Sequence, residues 1–251
     1  LIPLIIPINT PLWMLALAVA FAVIFGKEIF GGTGYNIMNV ALIARAFLFF
    51  AYPSEMSGDK VWIYGLPDQA AIDGFSGATP LAQLAQGATQ NMASMSDLFM
   101  GFIPGSIGET SKLAILIGAA ILLFTGIASW KIMLSTVIGV LSIGLLCNAF
   151  ALNEYMAVPA YYHLLIGGFA FGAVFMATDP VTAPHTERGK WIYGFMIGAF
   201  VVLIRVFNPA YPEGMMLAIL LMNVWSPLID YFVVQSHIKH RQKRFLVKKN
   251  A

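Results

Sequence analysis

The sequence predicts an all-α integral membrane protein, a polytopic helical bundle of about seven spans, and three observations predict it. Hydrophobic residues make up 59% of the 251 positions and charged residues only 10%, whereas a soluble domain carries about 25% charge. Mean hydropathy is +0.79, so the chain has too little charge to cover itself in water. The apolar residues also fall in long blocks rather than one-sided stripes, and the blocks have about the 17–25 residues that a crossing needs.

The first span runs from Pro11 to Phe25 and stops at Gly26, Lys27 and Glu28. A glycine-rich break follows, Gly31-Gly32-Thr33-Gly34, and then a second span from Asn36 to Tyr52. A long polar stretch, 53–110, separates it from the third span, Leu113 to Ser129. The fourth runs from Ile132 to Leu152 and the fifth from Ala157 to Ala177. A polar segment, Thr178 to Lys190, precedes the sixth (Trp191 to Phe207) and seventh (Met215 to Val234). The organisation is therefore 1–52 membrane helices with a break, 53–110 an external segment, 111–234 membrane helices, and 235–251 a basic tail.

Lys and Arg set the orientation, because they favour the cytoplasmic side. The tail carries Lys239, Arg241, Lys243, Arg244, Lys248 and Lys249, and so belongs inside. Counting back through seven spans also puts Arg188, Lys190, Lys131 and Lys27 inside, ten of the fourteen basic residues. The 53–110 segment is then external. The first break and the segment TDPVTAPH (Thr178 to His185) both lie at cytoplasmic turns between an incoming and an outgoing span. Broken segments in matching positions build midplane sites in repeat proteins; two ordinary loops would read the same way.

Several chemistries are excluded. A net charge of +2 gives no footprint for nucleic acid. Cys147 is alone, so it forms no internal disulfide and holds no iron–sulfur cluster by itself. His163, His185, His237 and His240 lack zinc-like spacing. No hydrolase triad or P-loop occurs, and no catalytic side chain stands out. The chain starts at Leu1 without a signal peptide, as a fragment beginning mid-protein would.

The external segment contains Asp73-Gly74-Phe75-Ser76-Gly77-Ala78-Thr79. Small residues leave the Thr79 hydroxyl unshielded, and Gly77 lets the backbone bend toward a modifying enzyme. Such a hydroxyl can accept a phosphoryl group and hold a flavin mononucleotide (FMN) as an ester. The alternative is a turn leading into a helix, with Thr79 as N-cap and Pro80 first in the helix. Both can be true together.

The pattern D-G-x-S-G-A-T resembles the flavin-acceptor motif of two related membrane proteins. These are the B-type subunit of the Na+-translocating NADH:quinone oxidoreductase and the D-type subunit of the Rnf complex. Phe30 to Pro53, GSIGETS (105–111), FMATDPVTAP (175–184) and the stretch from Val201 to Val233 resemble the B-type subunit, so the likeness covers nearly the whole chain. Where that family usually reads N-x-x-N-P, this chain has Asn36, Asn39 and Val40.

The resemblance implies a ten-helix inverted-repeat fold, similar to urea transporters, of which this chain holds about seven spans and lacks the first three helices. It implies a bacterial inner-membrane location, with Thr79 periplasmic and the C-terminus cytoplasmic. The cofactors it implies are FMN on Thr79, a noncovalent riboflavin in the first break, and ubiquinone as acceptor, coupled to Na+ export. The partners it implies are a second covalent-FMN subunit, membrane iron–sulfur subunits, an NADH-oxidising flavoprotein, and the flavin transferase that would mature Thr79.

Under this resemblance Asn36 and Asn39 offer amides to the flavin edge, three apart and on one face if helical. Gly31, Gly32 and Gly34 allow a planar ring to approach. Interhelical amide bonding is the plainer reading of the same residues. Glu28, Asp179 and Asp230 lie at cytoplasmic span ends and could supply oxygen ligands to Na+. Asp179 could instead cap a half-helix through Thr182, and Glu28 could pair with Lys27. Arg45 and Arg205 lie within spans, where they snorkel, pair with an acid or brace a phosphate. An Rnf-type subunit fed by ferredoxin and a urea-transporter-like channel are the competing functions.

Overall fold

The computed structural model describes residues 1–56, 79–85, 94–151, 155–208 and 213–250. The described residues are helical with connecting turns. Four helices are long and apolar enough to cross a membrane: Leu12–Phe30, Trp130–Phe150, Glu187–Phe207 and Met215–Phe245. The chain is therefore a multi-pass helical membrane protein. Six helices carry the architecture: α1 (Leu12–Gly26), α2 (Val40–Ala51), α3 (Lys112–Phe124), α4 (Trp130–Phe150), α5 (Glu187–Phe207) and α6 (Met215–Asn250).

Helix α1 is apolar on every side, as a lipid-facing span must be. Its Ala18 and Ala22, one turn apart, are fully buried, while Leu12 and Phe25 face outward. Phe21 of α1 stacks on Phe47 of α2 at 4.6 Å. The predicted second span is shorter than its apolar run. The Asn39 side chain accepts from the amides of Ala41 (3.0 Å) and Leu42 (3.3 Å), which starts α2 at Val40. The break before it turns through Gly31, Gly32 and Gly34, all at positive φ, which glycine alone adopts without strain. Asn36 and Asn39 thus do not share a helical face.

Helix α3 is likewise shorter than expected. Ser111 caps it, accepting from the Ala114 amide, and left-handed Gly126 (φ 72°) ends the run before Ser129. Helices α4 and α5, 21 residues each, span about 30 Å. They meet through small residues: a Cβ on Gly139 would overlap the Phe195 carbonyl, and one on Gly198 would overlap that of Thr136. Backbones that close rest on van der Waals packing, which is what holds membrane helices together.

The predicted fifth span is not one helix. It consists of a short helix Tyr162–Leu165, an extended Ile166, a left-handed Gly167 (φ 62°), the helical turn Phe169–Phe171 and a π-helical turn Gly172–Met176. The seventh span and the tail, expected as separate elements, form one 36-residue helix containing Pro227. Gln, Lys and Arg are good helix formers, so the helix continues after its apolar part ends. Seven predicted spans become four long helices, two short ones and one broken one among the described residues.

Candidate functional site

Polar side chains gather at the two ends of α5. At its Arg205 end lies the break at Ile166–Gly168. A helix interrupted in apolar surroundings leaves carbonyls without partners, which cost free energy unless they are met. Arg205, fully buried, meets two of them: Nη1 donates to the His163 carbonyl at 2.7 Å and Nη2 to that of Ile166 at 3.0 Å. Its Nε reaches the Glu213 carbonyl at 3.3 Å. Lys112, 3% exposed, donates to the carbonyls of Glu109 (2.6 Å), Thr110 (3.3 Å) and Gly167 (3.5 Å).

Arg45 joins this cluster from α2. Its guanidinium bridges two carboxylates, Glu109 at 2.5 Å and Glu213 at 2.6 Å. Burial pushes the Glu213 carboxyl up, to about 7, against the pull of Arg45. Of the readings left open for the two arginines, pairing with acids holds for Arg45; Arg205 clamps the carbonyls of a broken helix, which was not among them. Glu109, Lys112 and Glu213 were not singled out in the sequence. The usable signal was an arginine in an apolar span together with acids at neighbouring span ends.

Thr79 lies next to this cluster. It immediately precedes the helix Pro80–Ala85, and its carbonyl accepts from the Gln83 amide at 2.9 Å, as expected for a helix start with proline first. Leu81 and Leu84 of that helix pack with Leu98, Val158 and Ile166. Leu81 and Arg205 both approach Gly167: a Cβ there would lie 3.1 Å from Leu81 Cδ2 and 3.3 Å from Arg205 Nη2. The helix after Thr79 is thus seated on the clamped break. Asp73, Ser76, Gly77 and Ala78 lie outside the described residues.

At the other end of α5 the two breaks meet. Asn39 Nδ2 donates to Asp179 Oδ2 at 3.5 Å, across 140 positions of sequence. The same carboxylate accepts from the Thr182 hydroxyl at 3.2 Å, and its other oxygen accepts from the Val181 amide at 3.1 Å. The Asp179–Thr182 bond foreseen for a helix cap is present, but it closes a turn, since no helix starts between Asp179 and Thr186. No Lys or Arg pairs with Asp179 among the described residues. Nearby, the Tyr193 hydroxyl donates to Asn223 Oδ1 at 2.6 Å, and the buried Asn223 Nδ2 has no partner among the described residues. Asn36 is half-buried in the turn, and the space beside Gly34 is open.

The other two acids are placed differently. Asp230 accepts from the amides of His185 (2.8 Å) and Thr186 (3.1 Å) and from the Thr186 hydroxyl (2.5 Å). It therefore anchors the start of α5. Glu28 sits in the exposed turn Glu28–Phe30, 3.9 Å from Lys27. The three acids do not converge: among the described residues no group of three His, Cys, Asp or Glu could hold a metal ion. A cavity of about 330 Å³ opens beside Thr178, Pro184, Lys131 and Lys190, and an apolar groove of about 510 Å³ runs past Met38, Phe47 and Leu220.

Known proteins resemble this chain closely. The B-type subunit of the Na(+)-translocating NADH-quinone reductase of Chromohalobacter salexigens is 55% identical over 246 residues, 96% of this chain and 58% of its own length. The same subunits of Ectopseudomonas mendocina and Pseudomonas aeruginosa are 54% and 53% identical over 250 residues, 97% of this chain and 60% of theirs. The chain thus spans somewhat under two thirds of the curated relatives it matches. The description of the NQR2, RnfD, RnfE family fits residues 1–239, and the chain belongs to that family.

Proposed function

We propose that this chain is the membrane electron-transfer part of a sodium-translocating NADH:ubiquinone oxidoreductase. The observation that carries the reading is the identity of 53–55% to the B-type subunits across nearly the whole chain. The meeting of Asn39 and Asp179 supports it, because it joins a proposed flavin ligand to a proposed ion ligand. In this reading Thr79 is periplasmic and the tail of α6 cytoplasmic, in a bacterial inner membrane. The chain works beside a second covalent-FMN subunit, membrane iron–sulfur subunits and an NADH-oxidising flavoprotein.

The residues suit the two flavins. Thr79 presents a hydroxyl at a helix start, half-exposed, where the flavin transferase can reach it after the Asp73–Ala78 motif has been read. In the first break Asn39 spends its oxygen on the α2 cap and one amide hydrogen on Asp179, which leaves the second hydrogen for a ring carbonyl. Asn36, Gly31, Gly32 and Gly34 border the same turn, and the space beside Gly34 is open. The flavins supply one-electron steps between the NADH side and ubiquinone. In this reading Asp179 would hold Na+, with Thr182 and Thr178 beside it, and Glu28 and Asp230 would add negative charge at the same end; the Thr182 bond to Asp179 supports it.

The attachment is tested by Thr79→Val. In-gel flavin fluorescence should disappear from this subunit while assembly with its partners is retained. Persisting fluorescence would place the acceptor elsewhere and remove Thr79 from the electron path.

A further inference from the structure

Lys112 occupies an unusual position. Its ammonium is buried and held by three backbone carbonyls, those of Glu109, Thr110 and Gly167. Two come from the turn before α3, and the third from the broken fifth span, 55 positions away. In ion-coupled membrane proteins, unwound carbonyls and the C-terminal ends of half-helices are where small cations bind. The short helix Tyr162–Leu165 ends here, and its remaining carbonyls, at His163 and Ile166, face Arg205. Each of the three atoms holding the Lys112 ammonium is an oxygen of the kind a hard monovalent cation takes.

Three orphaned polar atoms surround the same break. Ser106 Oγ, Tyr155 Oη and His163 Nδ1 are buried without a partner among the described residues. Ser106 is in the turn that ends at Glu109, whose amide it receives through its carbonyl. The Tyr155 and His163 rings lie 5.9 Å apart. Isolated buried polar groups are costly, so these three atoms mark the surroundings of the break as polar, unlike the spans on either side.

We propose that the carbonyls of Glu109, Thr110 and Gly167 form a monovalent-cation site, which this chain fills with its own Lys112 ammonium. The tethered cation neutralises the end of the broken helix beneath the Thr79 segment. It also keeps the site closed to free ions, since a permanently occupied position passes none. A transported ion then has to bind elsewhere, which is consistent with the Asp179 carboxylate at the opposite end of α5, which has no Lys or Arg partner among the described residues.

The test removes the tether from the intact complex. Lys112→Met is compared with the parent in choline, sodium and methylammonium buffers of equal ionic strength, reading the apparent melting temperature. In choline, whose cation is too large for the cage, the variant should melt roughly 4 °C or more below the parent. Methylammonium should recover at least half of that loss in a saturable way, and should leave the parent where choline leaves it. Sodium should raise the variant by more than it raises the parent. Lys112→Ala, which opens more room, should respond in the same direction. An equal loss in all three buffers, or no loss in choline, overturns the proposal. So does failure of both variants to accumulate in cells grown with ample ammonium and sodium.

Discussion

At the Arg205 end of α5, three cations from α2, α3 and α5 face two carboxylates and the carbonyls of a broken helix. At the Thr186 end, the Asp179 carboxylate meets an amide, a hydroxyl and a backbone N–H, and no cation among the described residues. Both ends contain interrupted helices in apolar surroundings, and so both leave polar groups to be satisfied. One end does this with tethered positive charge. The other keeps a carboxylate that, in the function proposed above, an ion completes. On that proposal one device, the broken helix, serves once as a rigid seat and once as a binding place.

The largest effect expected from breaking this contrast is at Arg205. Arg205→Leu leaves three carbonyls, those of His163, Ile166 and Glu213, without their donor, a loss of about 3–5 kcal/mol. The complex should no longer survive purification as a single species on size exclusion. A variant that assembles and melts with the parent would mean that water satisfies these carbonyls and that the clamp is dispensable.

Arg45 sharpens the same point through a cycle. Arg45→Leu strands Glu109 and Glu213 and should destabilise by about 3 kcal/mol. Adding Glu213→Gln, which removes one stranded charge, should recover part of that loss. The two changes should therefore be non-additive by at least about 1 kcal/mol. Strict additivity in thermal melts would contradict a shared ion pair.

The break at the other end is tested with Asn39→Leu. This removes the α2 cap, for about 1 kcal/mol, and the donor to Asp179. Noncovalent riboflavin extracted from the complex should fall well below one per chain, while covalent FMN stays at its parent level. If riboflavin is retained, the first break is not its site.

These two ends were not equally legible in the sequence. The long runs at α1, α4, α5 and α6 follow from hydropathy alone, because a span needs only length and apolarity. The fifth span did not, because the run from Ala157 to Ala177 is continuous in composition. Its break is stabilised by Lys112 and Arg205, which are distant in sequence and meet it only in the fold. The shortening of α2 had a local signal, the capping Asn39, which the apolar count alone overrides. At the Asp179 end the residue types were readable, and so was the matching of the two breaks. Their contact through Asn39 and Asp179 was not, since nothing local pairs positions 140 apart. Asp230 shows another limit: nothing in the sequence says that an acid at this span end also ties down the amides of the next helix.

The contrast turns on whether Asp179 is the carboxylate that an ion completes. Asp179→Asn keeps the shape and one oxygen but removes the charge. Sodium is titrated against quinone reduction in the purified complex, with NADH oxidation by the flavoprotein subunit followed as a control. The account predicts that half-maximal activity shifts to at least about tenfold higher sodium, a loss of about 1.4 kcal/mol in binding. Asp230→Asn, whose oxygens already serve the start of α5, should shift it less and mainly lower the melting temperature. An unchanged sodium dependence in Asp179→Asn would contradict the account.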